Sequence, residues 1–186
     1  MTTPAYSDPE LLEWTLTFSK KHNVDIFIET GSYFGDSAKL VSQYFSKVFT
    51  VENNVENHRI AKQNLDRIVN CELILGSSPE VIRELELTSN TFFFLDAHWD
   101  SYWPLLDELF EIKQKKIFPI IAIHDFFVPD DFGNPLFGYD TYRGHALNFS
   151  YIEDSINSIY GKNNYKKIYS TSSITNSGVI YITPIA

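Results

Sequence analysis

Short apolar runs alternate with stretches of helical periodicity along the first two thirds of the chain. The runs are bounded by polar or turn-forming residues and are short, so we interpret them as buried strands. The predicted strands are Val24–Glu29, Lys47–Glu52, Cys71–Leu75, Thr91–Asp96 and Ile117–His124. Because strands that alternate with helices pair in parallel, the pattern predicts an α/β fold whose sheet is covered on both faces.

The helices between these strands carry recognisable start signals. Asp8 followed by Pro9 is typical of an N-cap and a first helical position, and this helix is predicted to reach about His22. Ser78, which precedes Pro79, is predicted to cap a short helix. The other predicted helices cover Ala38–Phe45, Val55–Ile68 and Tyr102–Ile112.

The pattern changes after Asp125. Residues 126–141 are rich in Phe, Asp, Pro, Gly and Tyr and predict a long loop, and a helix that starts near Phe149 then ends at Gly161. Two β-like runs follow, Tyr165–Thr171 and Val179–Thr183, and they predict a hairpin with one antiparallel strand. We expect one domain over residues 1–186, with 126–162 as a loop and helix on the substrate side.

Composition and charge exclude several classes of protein. The chain has 186 residues, of which 44% are hydrophobic and 21% charged, values that are typical of a folded protein. Fifteen Lys and Arg residues against 24 Asp and Glu give a net charge of -9, which repels nucleic acid. The single cysteine, Cys71, excludes an internal disulfide and a cysteine-rich metal site.

The sequence shows no targeting or membrane segment. Its N-terminus lacks the basic start and apolar core of a signal peptide, and no apolar run approaches the roughly 18 residues that a membrane helix needs. We therefore expect a soluble cytoplasmic protein that has no membrane partner.

The turn after the first predicted strand is the strongest local signal for a ligand. Gly31 lets the chain turn tightly, Gly35 is expected to let the next helix pack closely on the sheet, and the helix N-terminus offers free N–H groups to an anion. The alternative is an ordinary strand-to-helix turn. The middle glycine of a G-x-G-x-x-G fingerprint is absent, which argues against a dinucleotide.

Two further signals follow the next two strands. Glu52 ends the second strand, where a carboxylate accepts hydrogen bonds from ribose hydroxyls; the alternative is a solvated charge beside Asn53. Gly76, Ser77 and Ser78 follow the third strand, where small polar residues fit the edge of an adenine ring. All these signals fall at the carboxyl ends of strands, where open α/β sheets bind ligands.

In this arrangement, Glu29-x-Gly31-x-x-x-Gly35, Glu52 and Gly76-Ser77-Ser78 resemble the successive cofactor motifs of class I S-adenosylmethionine-dependent methyltransferases. The segments 94–99 and 123–125 are similar to those of the macrocin-type and cephalosporin-cluster O-methyltransferases. The resemblance covers residues 24–126 and the terminal hairpin. It implies a three-layer Rossmann-like sheet, mostly parallel, with an antiparallel C-terminal strand.

The resemblance also implies a role for each matching residue. It places Glu29 near the amino group of the cofactor and Glu52 on its ribose. The predicted cofactor-binding set is Glu29, Gly31, Ser32, Tyr33, Gly35, Ser37, Glu52, Asn53, Gly76, Ser77, Ser78, Asp96, Ala97 and His98. Ser37 is expected to reach the methionine carboxylate, and Ala97 and His98 to line the opening for methyl transfer.

Asp96, His124 and Asp125 are the predicted catalytic residues and the predicted metal ligands. Methyl transfer to a hydroxyl needs a group that removes its proton, and a divalent cation such as Mg²⁺ or Mn²⁺ or a histidine base would serve. Strand alternation sends His124 and Asp125 to opposite faces unless the chain turns there. The alternative is a hydrogen-bonded cluster without catalysis.

The aromatic loop at residues 137–145 has two interpretations. Its rings, with Arg143 and His145, would clamp a sugar or a phenol, or they would pack on the body of the protein. We expect O-methylation of a small molecule or saccharide. The alternatives are a non-catalytic protein of the same fold and a nucleotide-dependent oxidoreductase, and the oligomeric state, a homodimer included, stays open.

Overall fold

The computed structural model describes residues 4–88, 90–98, 102–171 and 176–185. Its centre is a seven-stranded sheet in the order β3-β2-β1-β4-β5-β9-β8. The strands are β1 Ile26–Thr30, β2 Lys47–Glu52, β3 Cys71–Leu75, β4 Thr91–Leu95, β5 Ile120–Ile123, β8 Tyr165–Thr171 and β9 Gly178–Pro184. A separate ribbon pairs β6 Thr141–Tyr142 with β7 His145–Ala146.

The strand directions confirm the predicted fold class. β1 pairs in parallel with both β2 and β4, and β4 pairs in parallel with β5. β9 runs antiparallel to both of its neighbours, β5 and β8. The chain travels outward from β1 to β3 and then returns to β4 on the other side of β1. This reversal opens a crevice at the carboxyl ends of β1 and β4, the usual ligand position in such sheets.

Helices cover both faces of the sheet, as predicted. They are α1 Pro9–Lys21, α2 Asp36–Val41, α3 Val55–Leu65, α4 Ser78–Glu84, α5 Leu105–Gln114 and α6 Phe149–Tyr160. Side-chain alternation along β4 builds two cores, because Phe92 and Phe94 pack with α1, α2 and α3 whereas Phe93 and Leu95 pack with α4, α5 and α6. The described residues contain no helix that is long and apolar enough to span a bilayer.

Several helices and strands begin or end at residues that favour such positions. Asp8 accepts a hydrogen bond from the backbone N–H of Glu10 at 2.8 Å, which confirms it as the N-cap of α1. Gly161 ends α6 with a positive φ of 83°. Strand β5 begins later than predicted, at Ile120, because Lys116 takes a φ of 56° and Pro119 has no N–H for the ladder.

The predicted loop after β5 is more ordered than its composition indicated. Pro129 and Pro135 form an isolated bridge, and the N–H of Phe127 donates to the carbonyl of Leu147 at 2.7 Å. The N–H of Phe126 donates to Gly178 of β9 at 2.7 Å. These bonds hold the start of the loop against the end of β5 and the beginning of β9.

Candidate functional site

The turn between β1 and α2 requires glycine at Gly31. Its φ is +86°, and a Cβ added there would lie 2.9 Å from the carbonyl oxygen of Asp96. The N–H groups of Gly31 and Ser32 both donate to the carbonyl of Val51, at 2.9 and 3.0 Å. The turn is therefore pressed between β2 on one side and the end of β4 on the other, and the tight turn predicted from the sequence is confirmed.

Gly35 also takes a left-handed conformation, with a φ of +80°, but its packing partner differs from the prediction. A Cβ there would lie 3.0 Å from Cδ1 of Leu65 in α3. The glycine thus allows α2 to approach α3. Helix α2 also packs on the sheet, because Ala38 and Val41 share a core with Phe27 and Val48. Ser37 lies in the first turn of α2 and is largely buried, and its role at a carboxylate stays a prediction.

Glu52 holds the turn from the side of β2. Only 6% of it is exposed, and its two carboxylate oxygens accept the N–H groups of Tyr33 at 2.8 Å and Asn54 at 2.9 Å. A solvated charge, the alternative weighed above, is therefore wrong. The neighbouring Asn53 is exposed. Each carboxylate oxygen keeps a free lone pair, so binding to a ribose stays a prediction that the geometry permits.

Glu29 lies deeper than Glu52, on the same side of the sheet as Phe94. Its carboxyl accepts the hydroxyl of Thr50 at 2.6 Å, and the Ser32 hydroxyl lies 2.5 Å from that of Thr50. Burial raises the pKa of Glu29 to about 8, and the nearby carboxylates of Asp96 and Glu52 add to the rise. The carboxyl is therefore largely protonated at neutral pH, and its predicted place near an amino group stays a prediction.

The segment after β3 corrects another prediction. Ser77, not Ser78, is the N-cap of α4, and its side chain makes no capping hydrogen bond. Ser78 is buried, and its hydroxyl donates to Oε1 of Glu108 in α5. The expected capping by Ser78 is wrong, because a buried carboxylate across the α4–α5 interface takes its hydroxyl. Gly76 is held by an N–H bond to the carbonyl of Glu52, and contact with adenine stays a prediction.

Three predicted residues meet at the ends of β4 and β5. Nδ1 of His124 lies 3.0 Å from Oδ1 of Asp96 and 3.4 Å from Oδ2 of Asp125. Asp125 takes a φ of +50°, so the chain turns immediately after His124. This left-handed turn brings both side chains to the same cluster, whereas a continuing strand would have sent them to opposite faces.

The cluster is strongly coupled by charge. Burial alone would lower the pKa of His124, but Asp96 and Asp125 outweigh it and raise the pKa to about 10. Burial would raise the pKa of Asp125, and the bonded His124 holds it below its usual range. In the metal-free cluster these carboxylates thus favour the protonated imidazole of His124. This environment disfavours a base with a pKa near neutrality, and the role of His124 in catalysis stays a prediction.

A cleft with about 250 Å³ of empty space, part of it open to solvent, runs along this cluster. His98 stands exposed at the cleft, and a ring nitrogen, an Asp125 oxygen and an Asp140 oxygen lie within 4.8 Å of one another. Ala97 is buried in the cleft wall. The full lining is Leu95, Asp96, Ala97, His98, Trp103, Leu105, Glu108, Ile123, His124, Asp125, Asp140 and Leu147.

Two lining carboxylates were missed from the sequence. Glu108 falls on the buried stripe of α5 with Leu105, Leu109 and Ile112, so a charge at a core position was the available signal. Asp140 had no local signal. It reaches the cleft because its N–H donates to the carbonyl of Asp125 at 2.8 Å, a contact between residues 15 positions apart.

Among the aromatic residues near the cleft, Trp103 lines it and Tyr142 packs behind it, and clamping of a substrate by residues 137–145 stays a prediction. Trp103 lines the cleft, its ring stacks on Tyr151 with centroids 5.4 Å apart, and Tyr142 lies 5.9 Å away. The guanidinium of Arg143 lies 4.9 Å from the Tyr142 ring. Trp99, in the segment that carried part of the resemblance, lies outside the described residues.

Comparisons with known proteins agree at the level of the fold. Neither a family model nor a curated protein sequence matches the chain. A candidate O-methyltransferase from Klebsiella pneumoniae matches with a TM-score of 0.65 and 13% identity over 98% of this chain and 84% of that chain. A candidate caffeoyl-CoA O-methyltransferase from Staphylococcus aureus matches with a TM-score of 0.63 and 18% identity over 95% of this chain and 84% of that chain.

The strand order, the single antiparallel strand and the match to these two structures all indicate the same fold. The chain has the class I methyltransferase fold. A third structure with this fold, a candidate methyltransferase from Streptococcus mutans in complex with S-adenosylhomocysteine (SAH), matches over the whole length of both chains, with a TM-score of 0.57 and 14% identity. Identities this low establish the methyltransferase fold alone, because one fold supports many reactions.

Proposed function

We propose that this chain is an S-adenosylmethionine-dependent methyltransferase that methylates an oxygen of a small molecule or saccharide. One observation carries the proposal: the glycine turn and the charged cluster touch each other. The Cα of Gly31 packs so closely on the Asp96 carbonyl that no side chain fits between them. A cofactor held over the Gly31 turn would therefore place its reactive carbon beside Asp96, His124 and Asp125.

The residues around the turn suit an adenosyl cofactor. Glu52 is fixed by two backbone N–H groups, so its carboxylate is already oriented before a ribose arrives. Such preorganisation favours binding, since no side-chain entropy remains to be lost. Ser77 has a hydroxyl that is not used for capping and stands at the start of α4, on the predicted adenine side. SAH in the Streptococcus mutans structure supports the choice of cofactor.

The charged cluster suits a divalent cation. Asp96, His124 and Asp125 offer two carboxylates and one imidazole nitrogen, all within 4.8 Å of one another. The proton that Nδ1 of His124 shares with these carboxylates occupies the place where a cation would bind. Such a donor set accepts Mg²⁺ and shifts the preference toward Mn²⁺ or Zn²⁺. A bound cation would lower the pKa of the acceptor hydroxyl.

Residues of the chain orient the acceptor hydroxyl for methyl transfer. Methyl transfer is an in-line displacement in which the acceptor oxygen forms a bond to the methyl carbon, the sulfur keeps the electron pair of the broken bond, and the hydroxyl proton passes to the Asp96 or Asp125 carboxylate that accepts its hydrogen bond. Asp96 and Asp125 orient the hydroxyl as hydrogen-bond acceptors. His124, already protonated without a metal, supplies positive charge rather than a free base. Leu147 and Trp103 form apolar parts of the cleft lining and would limit the entry of water around the acceptor.

A binding experiment separates this proposal from its rivals. We expect SAH to raise the melting temperature and to bind in calorimetry, and NAD⁺ to do neither. Binding of NAD⁺ without SAH would favour the oxidoreductase, and SAH binding without methyl transfer to any acceptor in a screen with labelled cofactor would favour a non-catalytic protein. A chelator should abolish transfer if a cation is required, and unchanged transfer would remove the cation from the proposal.

A further inference from the structure

Glu108 is a buried carboxylate that the proposed reaction does not use. It lies on α5, is 1% exposed and forms part of the cleft wall. Its Oε1 accepts the hydroxyl of Ser78, and the Thr30 hydroxyl lies near enough to the carboxyl to lower its pKa. Oε2 is buried, and no described residue lies in hydrogen-bonding geometry to it. A buried polar atom without a partner is costly, so Oε2 is available to a hydrogen-bond donor that reaches it from the cleft.

The charges around Glu108 indicate which kind of ligand group would bind its Oε2. Burial raises its pKa to about 7, hydroxyls of Ser78 and Thr30 oppose that rise, and Asp96 and Asp107 add to it. The cleft also contains the carboxylates of Asp96, Asp125 and Asp140, and among the described residues no Lys or Arg lines it. The imidazoles of His98 and His124 are the only groups in this lining that carry positive charge when protonated.

A second buried glutamate of α5 shows how the chain otherwise treats such a group. Glu111, one turn further along and 6% exposed, forms an ion pair with Arg83 at 2.8 Å. Among the described residues, Glu108 has no comparable cation. When Glu108 is ionised, its charge therefore has no ion-pair partner there, and a cationic group in the cleft would provide one.

We propose that the inner end of the cleft is a subsite for a positively charged ligand group, with Glu108 as its carboxylate. The assignment of the ligands rests on the proposed function. Two sources would supply the charge: the sulfonium of the cofactor or an ammonium on the acceptor. The same charges disfavour anionic acceptors, so we expect phosphorylated sugars and coenzyme A esters to bind weakly.

Two matched ligand pairs test the subsite in calorimetry. S-adenosylmethionine and SAH differ by the methyl group and the charge of the sulfonium, and glucosamine and glucose differ by an ammonium that is largely protonated at pH 7. Each ligand is titrated into the wild-type protein, Glu108→Gln and the control Glu111→Gln. Glu108→Gln keeps the acceptor for Ser78 and removes the charge, whereas Glu111→Gln removes the same charge from the same helix away from the cleft.

We expect Glu108→Gln to lower the affinity for the charged ligand of one pair about 10-fold or more and to leave the affinity for its neutral counterpart nearly unchanged. Glu111→Gln should change the affinity for neither ligand. Loss confined to S-adenosylmethionine assigns the subsite to the sulfonium, and loss confined to glucosamine assigns it to the acceptor. Unchanged charged-to-neutral ratios in both pairs would overturn the inference. If wild type binds neither S-adenosylmethionine nor SAH, the proposed function fails, and the sugar pair titrated without cofactor still decides the subsite.

A measurement on the wild type alone covers the case in which Glu108→Gln does not fold. Glucosamine should bind at least about 10-fold more tightly than glucose 6-phosphate, because the cleft attracts a cation and repels an anion. Equal or tighter binding of glucose 6-phosphate would contradict an anionic subsite.

Discussion

The two halves of the site are built in different ways. Beside β1 and β2, the backbone makes the site: Gly31 takes a φ of +86°, and Glu52 is bonded to two backbone N–H groups. Beside β4 and β5, charged side chains make it, with Asp96 and Asp125 facing His124 within 3.4 Å. The first half is a cradle shaped by backbone hydrogen bonds, with the buried Glu29 beneath it, and the second is a charge cluster whose protonation a ligand or cation can change.

Along one edge of the sheet, the backbone thus determines the shape of the site beside β1 and β2, and side chains provide its charge beside β4 and β5. A substitution in the cradle should affect folding and cofactor affinity, whereas a substitution in the cluster should affect proton binding and turnover. Single substitutions in each half can test this division.

Gly31→Ala should be the most damaging single change in the cradle. The new Cβ would lie 2.9 Å from the Asp96 carbonyl in a left-handed conformation, so we expect a loss of about 2–5 kcal/mol of stability in urea denaturation. Gly133→Ala is the matched control, because Gly133 has a similar φ of +84° with no atom within 4 Å. It should cost about 1–2 kcal/mol. Equal losses would show that close packing on Asp96 is unimportant.

Asp96→Asn should act on the cluster without unfolding the protein. Removing the carboxylate nearest His124 should return the pKa of that histidine from about 10 toward its ordinary value, as followed by NMR titration of the imidazole. With an accepted substrate, turnover should fall about 100-fold or more. The control is Asp66→Asn at an exposed residue on the C-terminal end of α3. An unchanged His124 titration would contradict the described charge coupling.

Glu52→Ala should weaken cofactor binding with little effect on the charge cluster. The loss of two hydrogen bonds from a ribose to a carboxylate should cost about 2–4 kcal/mol of SAH affinity in calorimetry. Glu56→Ala, at a glutamate 67% exposed and paired with Arg59, should bind SAH normally. Equal SAH affinity in the two variants would remove Glu52 from the cofactor site.

Glu29→Gln should change the pH dependence of stability. The folded pKa of Glu29 is raised to about 8 by burial, so the folded protein binds this proton more tightly than the unfolded chain does. Wild-type stability is therefore lost as pH rises from about 4.5 to about 8, by up to about 1.4 kcal/mol per pH unit. Glu29→Gln should lack this loss in urea denaturation at pH 5, 7 and 9. Parallel pH profiles for wild type and variant would contradict a protonated Glu29.

Most of the fold was predictable because it depends on local periodicity. Strands β1, β2, β3 and β4 were all found as apolar runs, although β1 begins two residues later than predicted and β3 is only partly buried. Strand β5 also begins later than predicted, because of Lys116 and Pro119. Gly31 was recognisable because a left-handed turn with no room for a Cβ requires glycine.

The charged half was less predictable, because it depends on contacts between distant segments. Asp96, His124 and Asp125 were found since each ends a strand, but the pKa of His124 follows from two carboxylates that face it in space. Asp140 enters through a single backbone bond to Asp125. The hydroxyl of Ser78 was predicted to cap its own helix and instead bonds a carboxylate 30 residues away. Sequence spacing carries no information about such pairings.

A crystal structure of the wild-type protein with SAH and Mn²⁺ would show whether the cofactor lies on the Gly31 turn beside the charged cluster. We expect ribose hydroxyls within hydrogen-bond distance of Glu52, the sulfur over the Gly31 turn, and the cation bound by Asp96, His124 and Asp125. A complex in which the ligand lies away from the carboxyl ends of β1 and β2, or in which Glu52 bonds only the N–H groups of Tyr33 and Asn54, would contradict it.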